Sequence, residues 1–84
     1  MSEPIAEHDV VVFTRDLPVE GLAAGDVGVV LVRHTGHDAV PPGYTVEVTT
    51  LLGETIAVVD VPTDHVRPAT QHDVRHARAV PMSA

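Results

Sequence analysis

The chain has 84 residues, no cysteine and a formal net charge of −7. This length supports one small domain, and the missing cysteines exclude disulfides and thiolate zinc sites. The acidic balance lacks the basic patch that binds nucleic-acid phosphates, so nucleic acid is not an expected partner. The sequence shows neither a membrane-spanning apolar run nor a signal peptide, so we expect a cytoplasmic protein with no membrane partner.

The predicted elements are short strands rich in valine, a β-branched residue that favours strands. A flexible polar leader over residues 1–7 precedes them. Alternating apolar and polar residues or valine runs then predict strands over 8–14, 27–34, 44–50 and 55–61. Residues 65–67 are interpreted as a short helical turn or a final strand.

Glycine indicates where this small sheet must bend. Gly25 and Asp26 form the turn into the second strand, and Gly28 within that strand indicates a bulge or a sharp coil. The order of strands and turns predicts an all-β fold, a small five-stranded SH3-like barrel over residues 8–68. A one-residue change of register would exchange the two faces of any strand. The residues expected in the core are Val10, Val12, Leu22, Val27, Val30, Val46, Val48, Ile56, Val58 and Val66.

A tail over residues 69–84 follows the barrel, and its first residues favour a short helix over 71–79. Thr70 is placed at the N-cap and Asp73 at N3, the spacing of a capping box with Asp in place of the preferred Glu. A helix shorter than ~12 residues does not persist alone in water. We therefore expect it to lie on the barrel or on a partner.

A series of short pieces in a fixed order resembles a known family. The pieces are DVVV at 9–12, DLP at 16–18, GL at 21–22, GDVG at 25–28, VEV at 46–48, GET at 53–55 and VRP at 66–68. Together they resemble an uncharacterised bacterial family of small proteins, domain of unknown function four-nine-two-six.

The resemblance implies an SH3-like barrel and no activity. More distantly, the pattern is similar to the barrel of nitrile hydratase β-subunits and to KOW modules, which dock proteins or RNA. The chain departs from the family pattern at the loop 35–42, at Leu51-Leu52 and in the tail after Pro68. These departures are where a property particular to this member would lie.

Two features are candidates for binding a partner. Leu51 and Leu52 stand at a hairpin tip where polar residues are usual, which indicates either a contact surface or a cap on the end of the barrel. Arg67, Arg75 and Arg78 cluster towards the C-terminus and suit acidic or phosphate groups of a partner. The alternative for the arginines is pairing with carboxylates of this chain.

Histidines are the candidate metal ligands, and no metal or other cofactor is expected. His72 and His76 share a face of the predicted helix, but two histidines alone bind metal weakly, so solvated side chains are the preferred interpretation. His34 and His37, with Asp38, stand in a polar loop that does not hold ligands in fixed positions.

The sequence offers no catalytic constellation, since it contains no cysteine and its serines, Ser2 and Ser83, lie near the ends of the chain. An aromatic-lined groove for proline motifs cannot be built from Phe13 and Tyr44 alone. The preferred hypothesis is a non-enzymatic protein-docking module: an accessory or regulatory subunit, or a toxin–antitoxin or immunity-type partner. It would bind another protein or a second copy of itself. The alternatives are a KOW-like RNA or ribosome contact and a His-based metal-binding protein.

Overall fold

Five antiparallel strands form one sheet in the computed structural model, which describes residues 5–50 and 52–75, the last two by their backbone. The strands are β1 (Val10–Phe13), β2 (Val27–His34), β3 (Gly43–Thr49), β4 (Thr55–Pro62) and β5 (Val66–Pro68). Their order in the sheet is β4-β3-β2-β1-β5, so β4 and β5 are its edges. The predicted five-stranded, mostly β fold with a short C-terminal helix is confirmed.

In the described part of the chain, three short helical segments connect or follow the strands. One 3-10 turn, Pro18–Glu20, lies in the loop between β1 and β2. A second, Thr63–His65, joins β4 to β5. The helix α1, Gln71–Arg75, follows β5. Within the described ranges, no helix is both long enough and apolar enough to cross a membrane.

Gly28 is the point where β2 and β3 come closest. A Cβ built there would lie 2.5 Å from Val46 Cγ1 and 2.9 Å from the Glu47 carbonyl oxygen. Any larger residue would push the two strands apart, so this glycine permits their close approach. The bulge itself falls later in β2, between Val30 and Val32.

The core is a valine-rich cluster that one face of the sheet forms together with Leu22 and an N-terminal side chain, Ile5. Its buried members are Ile5, Val11, Phe13, Leu22, Val30, Tyr44, Val46, Val48, Val59, Val61 and Val66. Ile5 belongs to the segment predicted as a leader, and its side chain packs in this cluster.

The predicted core faces of β1 and β4 were wrong by one residue. Val10 is 40% exposed while Val11 is fully buried, and Val58 is 53% exposed while Val59 is buried. Both errors lie in runs of consecutive valines, although in β4 the polar Asp60 shares the solvent face with Val58. Val12 is buried as expected but lies outside the main cluster.

Two carboxylates shape the loop between β1 and β2. The buried Asp26 accepts a hydrogen bond from the Ala23 N–H, and Asp16 accepts one from the Ala24 N–H. Leu17 and Leu22 pair through their backbones and so close the loop on itself. These hydrogen bonds close the loop and place the first 3-10 turn beside β4.

Candidate partner-binding grooves

Two grooves flank the last three residues of β4. The first, here called the loop groove, has a volume of about 310 Å³ and lies between the loop 35–42 and β4. The second, the turn groove, has a volume of about 380 Å³ and lies between the first 3-10 turn and β4. Asp60, Val61 and Pro62 line both. An occupant lying along the end of β4 would therefore contact both grooves at once.

The turn groove is mostly apolar and contains one unsatisfied polar atom. Leu17, Val19 and Val58 contribute apolar side chains, and Val19 is 97% exposed. His65 also lines the groove, and its Nδ1 is buried with no hydrogen-bond partner in the described structure. A buried polar atom without a partner costs free energy, but an occupant of the groove could not reach this nitrogen without a rearrangement of His65.

The loop groove combines apolar walls with one polar corner. Val40, Pro41 and Tyr44 contribute to the walls. At the corner, the Thr45 hydroxyl donates to Asp60 Oδ1 over 2.5 Å and lies 2.7 Å from His34 Nε2. A hydroxyl has a single hydrogen, which Asp60 receives, so His34 Nε2 carries the proton that Thr45 accepts.

The position of β4 adds backbone groups to the two grooves. β4 is an edge strand that pairs with β3 on one side only. In such a strand alternate N–H and C=O groups point away from the sheet and are free to pair with an added strand. Pro62 has no N–H, so pairing would end at that residue.

Leu52 extends this surface towards the hairpin tip. It lies between β3 and β4, and its side chain is 84% exposed, so it does not cover the end of the barrel. Leu51 lies outside the described residues. Leu52 therefore stands in the hairpin that precedes β4, beyond the opposite end of the strand from Asp60, Val61 and Pro62.

The arginines are distributed differently. Arg67 lies in β5, at the other edge of the sheet, and both its terminal nitrogens lie 2.7 Å from the carboxylate oxygens of Asp73. This contact, followed by the hydrogen bond from the Thr70 N–H, holds the pKa of Asp73 well below its usual range. Arg67 thus makes the intramolecular pair that was the alternative to partner binding. The side chain of Arg75 and all of Arg78 lie outside the described part of the chain.

The histidine candidates do not converge on a metal site in the described structure. Its residues contain no group of three histidines or acidic side chains placed to hold an ion. His72 lies exposed in α1, and its predicted companion His76 is outside the described residues. His34 bonds Thr45, whereas His37 pairs by its backbone with Val40.

The grooves and their residues Val19, Asp60 and His65 were not identified from the sequence. Each groove is built from segments that are far apart in the chain, so no local sequence pattern indicates that these segments lie together. The one available signal was Val19, an apolar residue in a polar loop beside Pro18.

Comparison with known proteins gives a family and nothing closer. The family model described as domain of unknown function (DUF4926) matches residues 7–68. No curated protein and no solved structure matches the chain. The matched range contains all five strands and both grooves.

Proposed function

The chain belongs to the DUF4926 family, and we propose that it is a non-enzymatic docking module that binds an extended segment of a partner protein along β4. The observation that carries this proposal is the pair of grooves that share Asp60, Val61 and Pro62 on an edge strand. An added strand would gain backbone hydrogen bonds from β4, while its alternate side chains would enter the grooves.

Charge supports a basic partner segment with apolar residues. Among the described residues that line the grooves, the acidic ones are Glu20 and Asp60, and no arginine is present. The whole chain carries −7. Complementary charge steers association and disfavours acidic competitors. The exposed Val19, Val58 and Leu52 would meet the apolar part of the segment.

A module of this kind serves as an accessory or regulatory subunit, or as one half of a toxin–antitoxin or immunity pair. We place it in the cytoplasm because the chain has no cysteine and so cannot form the disulfide bonds that stabilise small proteins in oxidising compartments. A second copy of the chain is a less favourable occupant, since two acidic surfaces would repel each other.

The test is selection of peptides by the full chain, followed by calorimetry on Val58→Lys. A library of random extended peptides is panned against the immobilised protein, and the selected peptides are titrated in solution. Lysine is tolerated on an exposed edge strand and repels a basic segment. We expect Val58→Lys to lower the affinity at least about tenfold, which corresponds to about 1.4 kcal/mol.

Val10→Lys is the matched control, because Val10 has a similar exposure but lies in β1, away from the β4 edge. It should leave the affinity unchanged. Failure to select any peptide, or equal losses in the two variants, would contradict the proposal. Nuclease-sensitive binding that weakens steeply with salt would instead favour the KOW-like RNA alternative.

A further inference from the structure

The polar corner of the loop groove holds a carboxylate in a fixed position at the protein surface. The Asp60 side chain is 79% exposed, yet its Oδ1 accepts from Thr45 and lies 3.9 Å from His34 Nε2. Thr45 is itself held by His34. Exposed carboxylates usually sample several rotamers, and this one is instead oriented by a chain of two hydrogen bonds.

The walls beside that carboxylate suit a long aliphatic stem. Val40, Pro41 and Pro42 line the groove from the loop, and Tyr44 and Val61 line it from β3 and β4. The two prolines have fixed φ angles, which makes this part of the loop a stiff wall. The volume, about 310 Å³, is at the lower end of the range for whole small-molecule sites, so one side chain fits it better than a large ligand.

We infer that the loop groove is a specificity pocket for a basic side chain, lysine or arginine, of the partner segment. The methylene stem packs against Val40 and the two prolines, and the cationic end reaches the carboxylate of Asp60. This inference rests on the proposed function, because the side chain belongs to a segment bound along β4.

Other ligand classes fit the groove less well. An anion would meet Asp60, the acidic group of this lining. A metal ion would find His34 and Asp60 but no third ligand among the described residues. A purely apolar side chain would use the walls but would cover the carboxylate without pairing it, which costs free energy. A cation on an aliphatic stem uses both the walls and the carboxylate.

The direct test is a titration of the full chain with three blocked amino acids. Binding is monitored through the backbone amide resonances in NMR spectra. The probes are the N-acetyl methylamides of lysine, arginine and norleucine, which share a long apolar stem and differ in charge. We expect a basic probe to bind about fivefold tighter than norleucine, the size of an exposed ion pair. The shifted resonances should be those of residues 34, 44, 60 and 61.

Asp60→Asn and Thr45→Val separate the charge from its positioning. Asp60→Asn should reduce binding of the basic probes to the level of norleucine. Thr45→Val keeps a β-branched residue in β3. It should weaken binding partly, because Asp60 then loses the hydrogen bond that orients its carboxylate. Asp64→Asn is the matched control, since Asp64 is an exposed carboxylate paired with Arg15 outside this groove; it should change nothing.

Equal binding of the three probes, or no binding of any of them, overturns the inference, and so does an equal effect of Asp60→Asn and Asp64→Asn. The outcome is separable from that of the proposed function. If selected peptides bind along β4 without a required basic residue, the docking function stands and the pocket assignment fails. If the basic probes bind as expected and no peptide is selected, the docking function fails.

Discussion

At the scale of single residues, Gly28 has the clearest physical role in the chain. Its missing side chain leaves room for Val46, which is fully buried, and for the backbone of Glu47. Neither neighbour can move cheaply, because valine is stiff at χ1 and the carbonyl belongs to a paired strand. The close approach of β2 and β3 therefore depends on this one position.

We predict that Gly28→Ala destabilises the fold by about 1–3 kcal/mol, the usual cost of overpacking a core. Urea denaturation of wild type and variant measures the difference. The added methyl group would lie within 3 Å of both Val46 and Glu47 and would force the strands apart.

Gly53→Asn provides the contrasting control. Gly53 has a φ of 85° in the β3–β4 hairpin, and a Cβ there would meet no atom within 4 Å. Asparagine tolerates this left-handed conformation, so the free energy of unfolding should change little. A Gly28→Ala protein as stable as Gly53→Asn would refute the packing argument.

At the scale of elements, the short helix α1 is held by its own first turn and by β5. Thr70 and Asp73 exchange hydrogen bonds as the predicted capping box requires. Asp73 also receives both terminal nitrogens of Arg67. The cap was predictable because it is local in sequence. The Arg67–Asp73 ion pair could not be predicted in the same way, because it depends on where β5 ends relative to the helix.

The Arg67–Asp73 pair predicts how α1 responds to acid. Because the pKa of Asp73 is lowered, above all by the bond from Arg67, folding gains stability from this carboxylate above the ordinary aspartate pKa of about 4. That stability disappears as the pH falls through the lower folded value. The carboxyl carbon resonance of Asp73, followed through an acid titration, should therefore move only well below pH 4.

Arg67→Gln should raise the pKa of Asp73 towards its ordinary value and shift this titration upwards. Arg15→Gln is the comparison, since Arg15 pairs with Asp64 at 3.4 Å on the open surface. It should leave the Asp73 titration unchanged. Coincident titration curves for Arg67→Gln and wild type would mean that the ion pair does not form in solution.

The strands show what sequence patterns can and cannot decide. The bounds of β2 are those predicted, and β3 and β4 differ from prediction by one residue at some ends. Regular alternation such as Tyr44, Val46 and Val48 also places the buried face correctly. The run 10–12 contains only valine, so hydrophobicity alone could not choose between its faces, whereas Asp60 marked the solvent face that Val58 shares.

At the scale of the whole molecule, the sheet order separates two kinds of edge. β5 carries an arginine already paired within the chain, whereas β4 lines both grooves and contributes the carboxylate of Asp60. No local pattern reveals such a site, because its sides come from segments that only the closed sheet brings together. The net charge of −7 can be read from the sequence, since charge sums over the chain whatever its fold.

This acidic surface predicts a salt dependence. Raising NaCl from about 0.1 M to about 1 M shortens the screening length from about 10 Å to about 3 Å. The affinity for peptides selected along β4 should fall over this range, as measured by calorimetry. Asp60→Asn should show a shallower fall. An affinity that is independent of salt in both proteins would indicate that apolar contact alone holds the segment.

The pairing of β1 with β5 also governs how the chain reaches its fold. β2, β3 and β4 follow one another and pair as neighbours, so their contacts close only short loops. Val11 pairs with Pro68, which closes a loop of nearly the whole fold. Long loops cost more entropy and form later. We therefore expect the three-stranded meander to form early during synthesis, and β5 to pair with β1 only after Val66 has left the ribosome.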